Sequence, residues 1–217
     1  MKKKIHVLVA DDHTLLRNGI RALVEDQPDI TIIGEAEDGR EAIRLAHQLR
    51  PDVVLMDIAM PLLNGLEATR QIKRDHPEIN VLILTMYDHE EYFRQVLEAG
   101  ASGYLVKRAA ASELEHAIRA VSRGEAVLSP SITRLVLEDY LRKENNRPES
   151  EPEPLSPRER EILQLIAEGK TSREIAEILS LSIKTVQSHR TSLMQKLDLH
   201  DRGDLIKYAI QKKIIEI

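Results

Sequence analysis

The sequence of 217 residues contains no cysteine, no tryptophan and a single phenylalanine. The absence of cysteine excludes disulfide bonds, thiolate metal sites and thiol nucleophiles, and it favours a reducing, cytoplasmic setting. Long hydrophobic runs are missing as well. The first apolar run, residues 5–10, follows three lysines but meets Asp11 too early to form a signal peptide or a membrane span. We therefore expect a cytoplasmic protein with no membrane segment.

The charge is spread unevenly along the chain. The net charge is −5, with 16 Lys and Arg against 21 Asp and Glu in residues 1–128, but 11 against 9 in residues 155–217. Between these parts, residues 143–154 are polar, hold three of the nine prolines and offer no apolar anchor for a core. Such a composition is typical of a mobile linker. The pattern predicts an acidic first domain and a mildly basic second domain with different partners.

The first domain alternates short apolar runs with amphipathic helical stretches. Its five runs begin at Ile5, Ile30, Val53, Val81 and Gly103. Apolar and polar residues hardly alternate within these runs, which is typical of parallel strands that are covered on both faces. They predict a doubly wound α/β fold with a five-stranded parallel sheet in the order 2-1-3-4-5, whose site lies at the carboxyl ends of the strands.

The proposed domain boundaries follow from the same pass along the chain. Residues 131–142 have helical spacing and predict a helix that leads into the linker. We expect a first domain at residues 1–125, a linker helix and mobile linker at 126–154, and a small all-α domain at 155–217.

Five polar residues follow the predicted strands. Asp11 and Asp12 follow strand 1, Asp57 follows strand 3, Thr85 follows strand 4 and Lys107 follows strand 5. These strands are neighbours in the expected order, so the side chains should meet at one edge of the sheet. Three carboxylates repel one another unless a cation neutralises them, and Mg²⁺ or Mn²⁺ suits such oxygen ligands. The cluster therefore predicts a divalent metal site.

Each of these residues has a simpler explanation when it is taken alone. Asp11 and Asp12 are typical N-cap residues for the following helix, Thr85 suits a turn, and Lys107 suits a solvated surface. Independent residues of that kind would rarely fall after four neighbouring strands. The joint placement favours one shared site, and capping remains the alternative for the aspartate pair.

The second domain begins with helix signals in close succession. Ser156 and Glu159 form a capping box for one helix, Thr171 and Glu174 begin another, and a third is expected over residues 183–197. Two short helices, a tight turn and a further helix indicate a helix-turn-helix.

The third helix of this domain has an apolar side and a polar stripe. The side expected to face the core consists of Ile183, Val186, Leu193, Met194 and Leu197. The stripe consists of Lys184, Gln187, Ser188, Thr191 and Gln195. Such a stripe is commonly only the solvated face of a helix. However, residues 182–196 contain no acid, and a surface that avoids negative charge suits a phosphate backbone.

Residues 1 to about 125 resemble the receiver domain of two-component response regulators through Asp11-Asp12, Asp57 with Met60, Pro61 and Gly65, Thr85, Tyr104 and Lys107. The resemblance implies that Asp57 is the phosphoacceptor. It also implies that Asp12, Asp57 and the backbone carbonyl of Ala59 hold Mg²⁺, with Asp11 acting mainly through water.

The resemblance further implies a switch beside the phosphoacceptor. Thr85 would offer its hydroxyl to the bound phosphate, Tyr104 would change its orientation in response, and Lys107 would contact the phosphoryl group. Many receivers have proline after this lysine, whereas this sequence has Arg108, so the isomer of the Lys107–Arg108 bond stays open.

Residues 155 to about 210 resemble the DNA-binding domain of the LuxR, NarL and FixJ type through the segments LSPREREILQLIAEGK, SREIAEILSLSIKTVQSH and LMQKL. The resemblance implies that the third helix enters the major groove, with contacts from Lys184, Thr185, Gln187, Ser188, Arg190, Thr191 and Lys196. Of these, Arg190 and Lys196 would contact phosphates, with Arg202 as a further candidate. Gln187 is the best candidate for base recognition, because its amide can pair with adenine.

Together the two resemblances imply a transcriptional response regulator of the NarL/FixJ family that a sensor histidine kinase activates by phosphorylating Asp57. The expected partners are this kinase, double-stranded promoter DNA, a second copy of the chain and, as a candidate, RNA polymerase. The protein would accept a phosphoryl group and lose it slowly, without turning over substrates.

Two alternatives stay open from the sequence. One is a DNA-binding regulator whose receiver-like domain takes no phosphate, although the full set of acidic, threonine and lysine residues argues against it. The less favoured alternative is a Mg²⁺-dependent phosphatase of the haloacid dehalogenase type, which forms an aspartyl phosphate. That class expects an acidic residue at position 59, where this sequence has Ala59.

Overall fold

The computed structural model describes residues 4–86, 90–107, 111–128, 133, 155–199 and 201–215. The chain forms two compact units, Met1–Pro148 and Glu149–Ile217. The predicted linker helix, apart from residue 133, lies outside the described residues, and so do the mobile linker and the Lys107–Arg108 bond.

The first unit is a parallel sheet with helices on both faces. Its strands are β1 (Ile5–Ala10), β2 (Ile30–Ala36), β3 (Val53–Asp57), β4 (Asn80–Thr85), β5 (Gly103–Val106) and β6 (Val127–Leu128). Its helices are α1 (Thr14–Glu25), α2 (Gly39–Leu49), α3 (Gly65–Asp75), α4 (Glu90–Glu98) and α5 (Ala111–Ser122). The strand order is β2-β1-β3-β4-β5-β6, which confirms the doubly wound fold.

The predicted count of five strands is wrong, because β6 adds a sixth at the edge of the sheet. Val127 and Leu128 pair in parallel with β5, and both residues are only partly buried. A strand of two residues is too short to show hydrophobic periodicity, so the sequence pattern does not predict it. The preceding α5 supplies the long crossover that a parallel strand requires.

The central strands carry apolar side chains on both faces. Val54 and Met56 belong to one buried cluster, together with residues of α2 and α3. Val53 and Leu55 belong to a second cluster, together with residues of α1 and α5. All five residues of β3 are buried, so this strand is held firmly and its last residue, Asp57, stands at the edge of a packed sheet.

Two strands run one residue further than the sequence predicts. Asp57 and Thr85 are the last residues of β3 and β4 rather than the first residues after them. Asp57 is in register with Leu84, and Thr85 is in register with Val106. Sheet pairing therefore fixes the backbones of both polar residues.

The second unit is helical, with α6 (Pro157–Ala167), α7 (Ser172–Leu179), α8 (Ile183–Lys196) and α9 (Arg202–Gln211). The capping boxes of Ser156 with Glu159 and of Thr171 with Glu174 are both present, as predicted. Apolar residues from all four helices are buried: Ile162, Leu163, Ile175, Val186, Leu193 and Leu205. In the described parts of both units, we find no helix of the length and apolarity that crossing a membrane requires.

Candidate functional site

The carboxyl ends of β1 and β3 bring Asp11, Asp12 and Asp57 together with His13. One ligand atom from each of these side chains lies within 4.8 Å of the others. Asp11 and Asp57 are buried, whereas Asp12 and His13 are exposed. The acidic cluster predicted from the sequence is therefore assembled, with two carboxylates inside the fold and one at its surface. Sequence reasoning missed His13, although its position directly after two aspartates at a strand end was an available signal.

Lys107 joins the two buried carboxylates. Its Nζ lies 2.7 Å from Asp11 Oδ2 and 2.7 Å from Asp57 Oδ2. Its side chain is 7% exposed, so the alternative of a solvated surface lysine is wrong. The Lys107 amide donates to the Thr85 carbonyl at 2.7 Å, because β4 and β5 end side by side. Four residues from four strand ends thus share one edge of the sheet.

The electrostatics of this edge are dominated by burial. Burial raises the pKa of Asp57 to about 6, and the nearby Lys107 only partly offsets this effect. Burial lowers the pKa of Lys107, but the charges of Asp57 and Asp11 outweigh it and raise that pKa overall. The single Lys107 ammonium therefore pairs with two carboxylates, those of Asp11 and Asp57. Asp12 brings a third carboxylate to the cluster. An oxygen-rich set with spare negative charge fits a hard divalent cation such as Mg²⁺ or Mn²⁺.

The aspartate pair does not cap the first helix. The N-cap of α1 is His13, and its side chain makes no capping hydrogen bond. The His13 backbone amide instead donates to Asp11 Oδ1 at 2.8 Å, and His13 Nδ1 lies 2.8 Å from Asp12 Oδ1. The capping interpretation is therefore wrong, and both carboxylates stay turned toward the acidic cluster.

The turn after Asp57 is held by Gly65. A Cβ built at this position would lie 1.8 Å from the Asp57 carbonyl oxygen, so only glycine lets α3 begin this close to the strand. The Gly65 amide donates to the Ile58 carbonyl at 2.9 Å, and the Ile58 amide donates to Asp57 Oδ1 at 2.8 Å. This folded turn includes Ala59, which is partly buried.

Thr85 and Tyr104 lie inside the sheet beside this site. Thr85 is 1% exposed and Tyr104 is fully buried. The Tyr104 ring meets the edge of Phe93 from α4, with 6.2 Å between the ring centroids. Both side chains predicted to form a switch are therefore buried, and Tyr104 packs against α4.

The polar stripe on α8 faces solvent. All five of its residues are exposed: Lys184, Gln187, Ser188, Thr191 and Gln195. Thr185 and Arg190 are partly buried. Ile183 was expected to face the core, but it is 46% exposed. It is the first residue of α8, where the helix is only beginning to cross the core, whereas Val186 one turn later is buried.

Two predicted phosphate contacts have partners within the second unit. Lys196 Nζ lies 2.8 Å from Oε2 of the buried Glu159. Arg202 donates to the carbonyls of Ile166 and Lys170 at 3.3 and 3.2 Å. A DNA phosphate would have to share these groups with partners that already hold α8 and α9 against α6.

Glu159 is the centre of a buried polar cluster. Its carboxylate accepts from the Ser156 amide at 2.8 Å, from the Ser192 hydroxyl at 2.9 Å and from Lys196. Burial alone would raise the pKa of Glu159, but these hydrogen bonds outweigh burial and lower it to about 2. The carboxylate therefore joins the start of α6 to the second half of α8.

Comparison with known families and proteins finds matches to both parts of the chain. The family described as "Response regulator receiver domain" matches residues 7–119. The family described as "Bacterial regulatory proteins, luxR family" matches residues 153–209. The transcriptional regulatory protein LiaR of Bacillus subtilis (strain 168) is 45% identical over 212 residues, covering 97% of this chain and 99% of LiaR. The oxygen regulatory protein NreC of Staphylococcus carnosus (strain TM300) is 41% identical over 214 residues, covering 97% of this chain and 99% of NreC.

Solved structures of a response regulator are similar over nearly the whole chain. One structure of Salmonella typhimurium RcsB is 30% identical with a TM-score of 0.59, covering 96% of this chain and 99% of RcsB. A structure of an RcsB–DNA complex is 31% identical with a TM-score of 0.59, covering 95% of this chain and 98% of that chain. The chain therefore belongs to the two-component response regulators of the NarL/FixJ family, which combine a receiver domain with a LuxR-type DNA-binding domain.

Proposed function

We propose that the protein is a transcriptional response regulator whose Asp57 accepts a phosphoryl group from a sensor histidine kinase. The observation that carries this proposal is the meeting of Asp57, Asp11 and Lys107 at one sheet edge, with both carboxylates 2.7 Å from the same ammonium. A carboxylate oxygen of Asp57 would bond to phosphorus while the bond between phosphorus and the donor breaks. The product is an aspartyl phosphate and a free donor side chain.

The chain's own groups prepare this step. Asp57 is the last residue of a fully buried strand. Its carboxylate is therefore already oriented, and little conformational entropy is lost when the donor arrives. Lys107 already lies beside that carboxylate and would donate to the incoming phosphoryl oxygens. Asp11, Asp12, Asp57 and the Ala59 carbonyl would hold Mg²⁺ or Mn²⁺. When bound, that ion neutralises charge on the phosphoryl oxygens.

The proposed switch runs through Thr85 and Tyr104. A Thr85 hydroxyl drawn toward the phosphate would leave space beside the neighbouring strand β5, and Tyr104 would move into it. The Tyr104 ring contacts Phe93 on α4, so such a movement would change the surface formed by α4 and β5.

The output would be DNA binding by the second domain. The exposed, acid-free stripe on α8 supports major-groove contacts by Lys184, Gln187, Ser188 and Thr191, flanked by Thr185, Arg190 and Lys196. The similarity to RcsB, which has been solved in complex with DNA, supports the same assignment. We further propose domains at residues 1–125 and 155–217 joined by 126–154, action as a homodimer on promoter DNA, and a cytoplasmic location.

The phosphoacceptor is tested by incubating the full chain with acetyl phosphate and Mg²⁺ and measuring its intact mass. We expect one added phosphoryl group on the wild-type protein and none on Asp57→Asn. An equal adduct on both proteins, or no adduct at all, would exclude Asp57 as the acceptor. Continuous release of inorganic phosphate from a phosphomonoester would favour the phosphatase alternative instead.

A further inference from the structure

Arg17 is a buried cation directly behind the acidic cluster. It lies on α1, and its side chain is 6% exposed. A buried guanidinium is costly unless its donors are paired. The partners of this one connect three segments: the strand end at Asp11, the start of α1, and the end of β2 with its following turn.

Arg17 contacts the acidic cluster through the main chain of Asp11. Arg17 Nη1 donates to the Asp11 carbonyl oxygen at 2.7 Å, and Nη2 lies 3.4 Å from Thr14 Oγ1. That carbonyl belongs to the peptide unit joining Asp11 to Asp12, and a peptide unit is planar. Holding its oxygen therefore limits the rotation of the unit from whose two ends both carboxylates branch.

The other side of the guanidinium is anchored to acidic residues. Arg17 Nε donates to Glu35 Oε2 at 3.3 Å, and Nη2 pairs with Glu37. Arg21 also pairs with Glu35, but its side chain is 51% exposed. Arg17 is thus held from β2 and donates to the Asp11 carbonyl, whereas the contact found for Arg21 is with the shared partner Glu35.

We propose that Arg17 is a positioning residue for the divalent-metal site, acting through the Asp11–Asp12 peptide unit. This inference rests on the proposed function, because it assumes that the acidic cluster binds a metal. Two effects of Arg17 oppose each other. Its positive charge repels a cation in the cluster, while its hydrogen bond arranges the ligands for that cation. The sign of the change on removing Arg17 therefore distinguishes a positioning role from a purely electrostatic one.

The test measures Mn²⁺ affinity of the full chain by electron paramagnetic resonance, alongside urea unfolding of each variant. Loss of an orienting contact to a metal ligand typically costs 10-fold or more in affinity, so we expect Arg17→Met to bind Mn²⁺ about 10-fold more weakly. Arg21→Met removes an equal charge next to the same Glu35 and should bind like the wild type. A role in stability alone would lower the urea midpoint of Arg17→Met without changing the affinity of the folded protein.

Arg17→Lys keeps the charge but offers a single donor nitrogen in place of the forked guanidinium. Its Mn²⁺ affinity should fall between those of the wild type and Arg17→Met, and it carries the test if Arg17→Met does not fold. Affinity at or above the wild-type level in these Arg17 variants would overturn the proposal. Asp12→Asn separates the two hypotheses: if it binds Mn²⁺ as well as the wild type, the acidic cluster is not the metal site, and the proposed function fails on that point instead.

Discussion

At the residue scale, Asp57 owes its properties to the strand that carries it. β3 is buried along its whole length, so the carboxylate at its end has little access to water. The neighbouring Lys107 neutralises only part of the charge that burial penalises. The result is a carboxyl group whose pKa is raised to about 6.

This pKa predicts how metal binding depends on pH. The folded-state value exceeds the ordinary value of 3.8, so Asp57 favours the folded state below about pH 4 and loses that contribution as the pH rises through about 6. A proton on Asp57 competes with a metal ion. We expect Mn²⁺ affinity to fall steeply as the pH drops from about 7 to about 5. Titration by electron paramagnetic resonance checks this, and an affinity that stays constant over that range would contradict it.

Gly65 gives the second prediction at this scale. In Gly65→Ala the new Cβ would overlap the Asp57 carbonyl, so the strand end or α3 must move. We expect the unfolding free energy of the receiver to fall by about 1–3 kcal/mol, together with slower phosphorylation by acetyl phosphate. Urea unfolding and intact mass measure the two effects.

Gly19→Ala is the matched control for Gly65→Ala. A Cβ at position 19 meets nothing within 4 Å, and the residue lies within α1. Alanine should therefore stabilise that helix by about 1 kcal/mol. Equal effects of the two substitutions would show that close packing at Gly65 is not what matters.

At the element scale, most of the architecture could be predicted from sequence because the periodic segments are long. The alternation of strands and helices, the capping boxes at Ser156 and Thr171, and the exposed stripe on α8 all follow from local patterns. β6 could not be predicted, because two residues show no period. The exposure of Ile183 depends on where α8 meets the core, which is a tertiary property.

The contact between α6 and α8 depends on one carboxylate, Glu159. Glu159→Gln keeps the shape but loses the charge that Lys196 and the two serines stabilise. We expect the unfolding free energy of the second domain to fall by about 2 kcal/mol. The pKa of Glu159 is lowered from 4.5 to about 2, so the wild type keeps this contribution above about pH 4.5 and loses it as the pH falls toward 2. The variant should lack that acid-dependent loss in urea unfolding.

Glu174→Gln is the matched control for this prediction. Glu174 holds the same position in the capping box of α7, but its carboxylate is on the surface and bonds only within its own box among the contacts found. Glu174→Gln should lower the unfolding free energy clearly less than Glu159→Gln does. If both variants lose the same stability, the tie to α8 contributes nothing beyond helix capping.

The stripe on α8 is tested through DNA binding. Lys184→Ala and Gln187→Ala should each weaken binding to promoter DNA about 10-fold, since each good base contact contributes roughly 1–3 kcal/mol. Their unfolding curves should match the wild type, because both side chains are exposed. Lys207→Ala removes an equal charge from an exposed position on α9 and should bind DNA normally. Fluorescence anisotropy with labelled DNA measures all three, and unchanged affinity in both α8 variants would mean that another face contacts DNA.

At the scale of the whole molecule, the acidic residues 1–128 and the mildly basic residues 155–217 carry different chemistry on one chain. The residues of the acidic site could be named from sequence because each stands at a strand end, and strand order brings such ends together. The role proposed for Arg17 could not, since Arg17 belongs to no spaced motif. Arg17 looks like an ordinary polar residue of an amphipathic helix until its buried contact with Asp11 is seen.

Coupling between the two units is the prediction at this scale. If phosphorylation of Asp57 controls output, acetyl phosphate with Mg²⁺ should raise the DNA affinity of the wild-type chain and increase its dimer fraction. Asp57→Asn should show neither change. Anisotropy and analytical ultracentrifugation measure them, and equal DNA affinity with and without the phosphoryl donor would favour the phosphorylation-independent regulator.

The edge contact between Tyr104 and Phe93 has a practical consequence. Phe93 is the single phenylalanine of the chain. Its ring centroid lies 6.2 Å from that of Tyr104, the residue proposed to move during switching. Biosynthetic replacement of phenylalanine by a fluorinated analogue would therefore yield one ¹⁹F resonance, with no assignment problem. The chemical shift of that resonance should report a change in the position of the Tyr104 ring when Asp57 is phosphorylated.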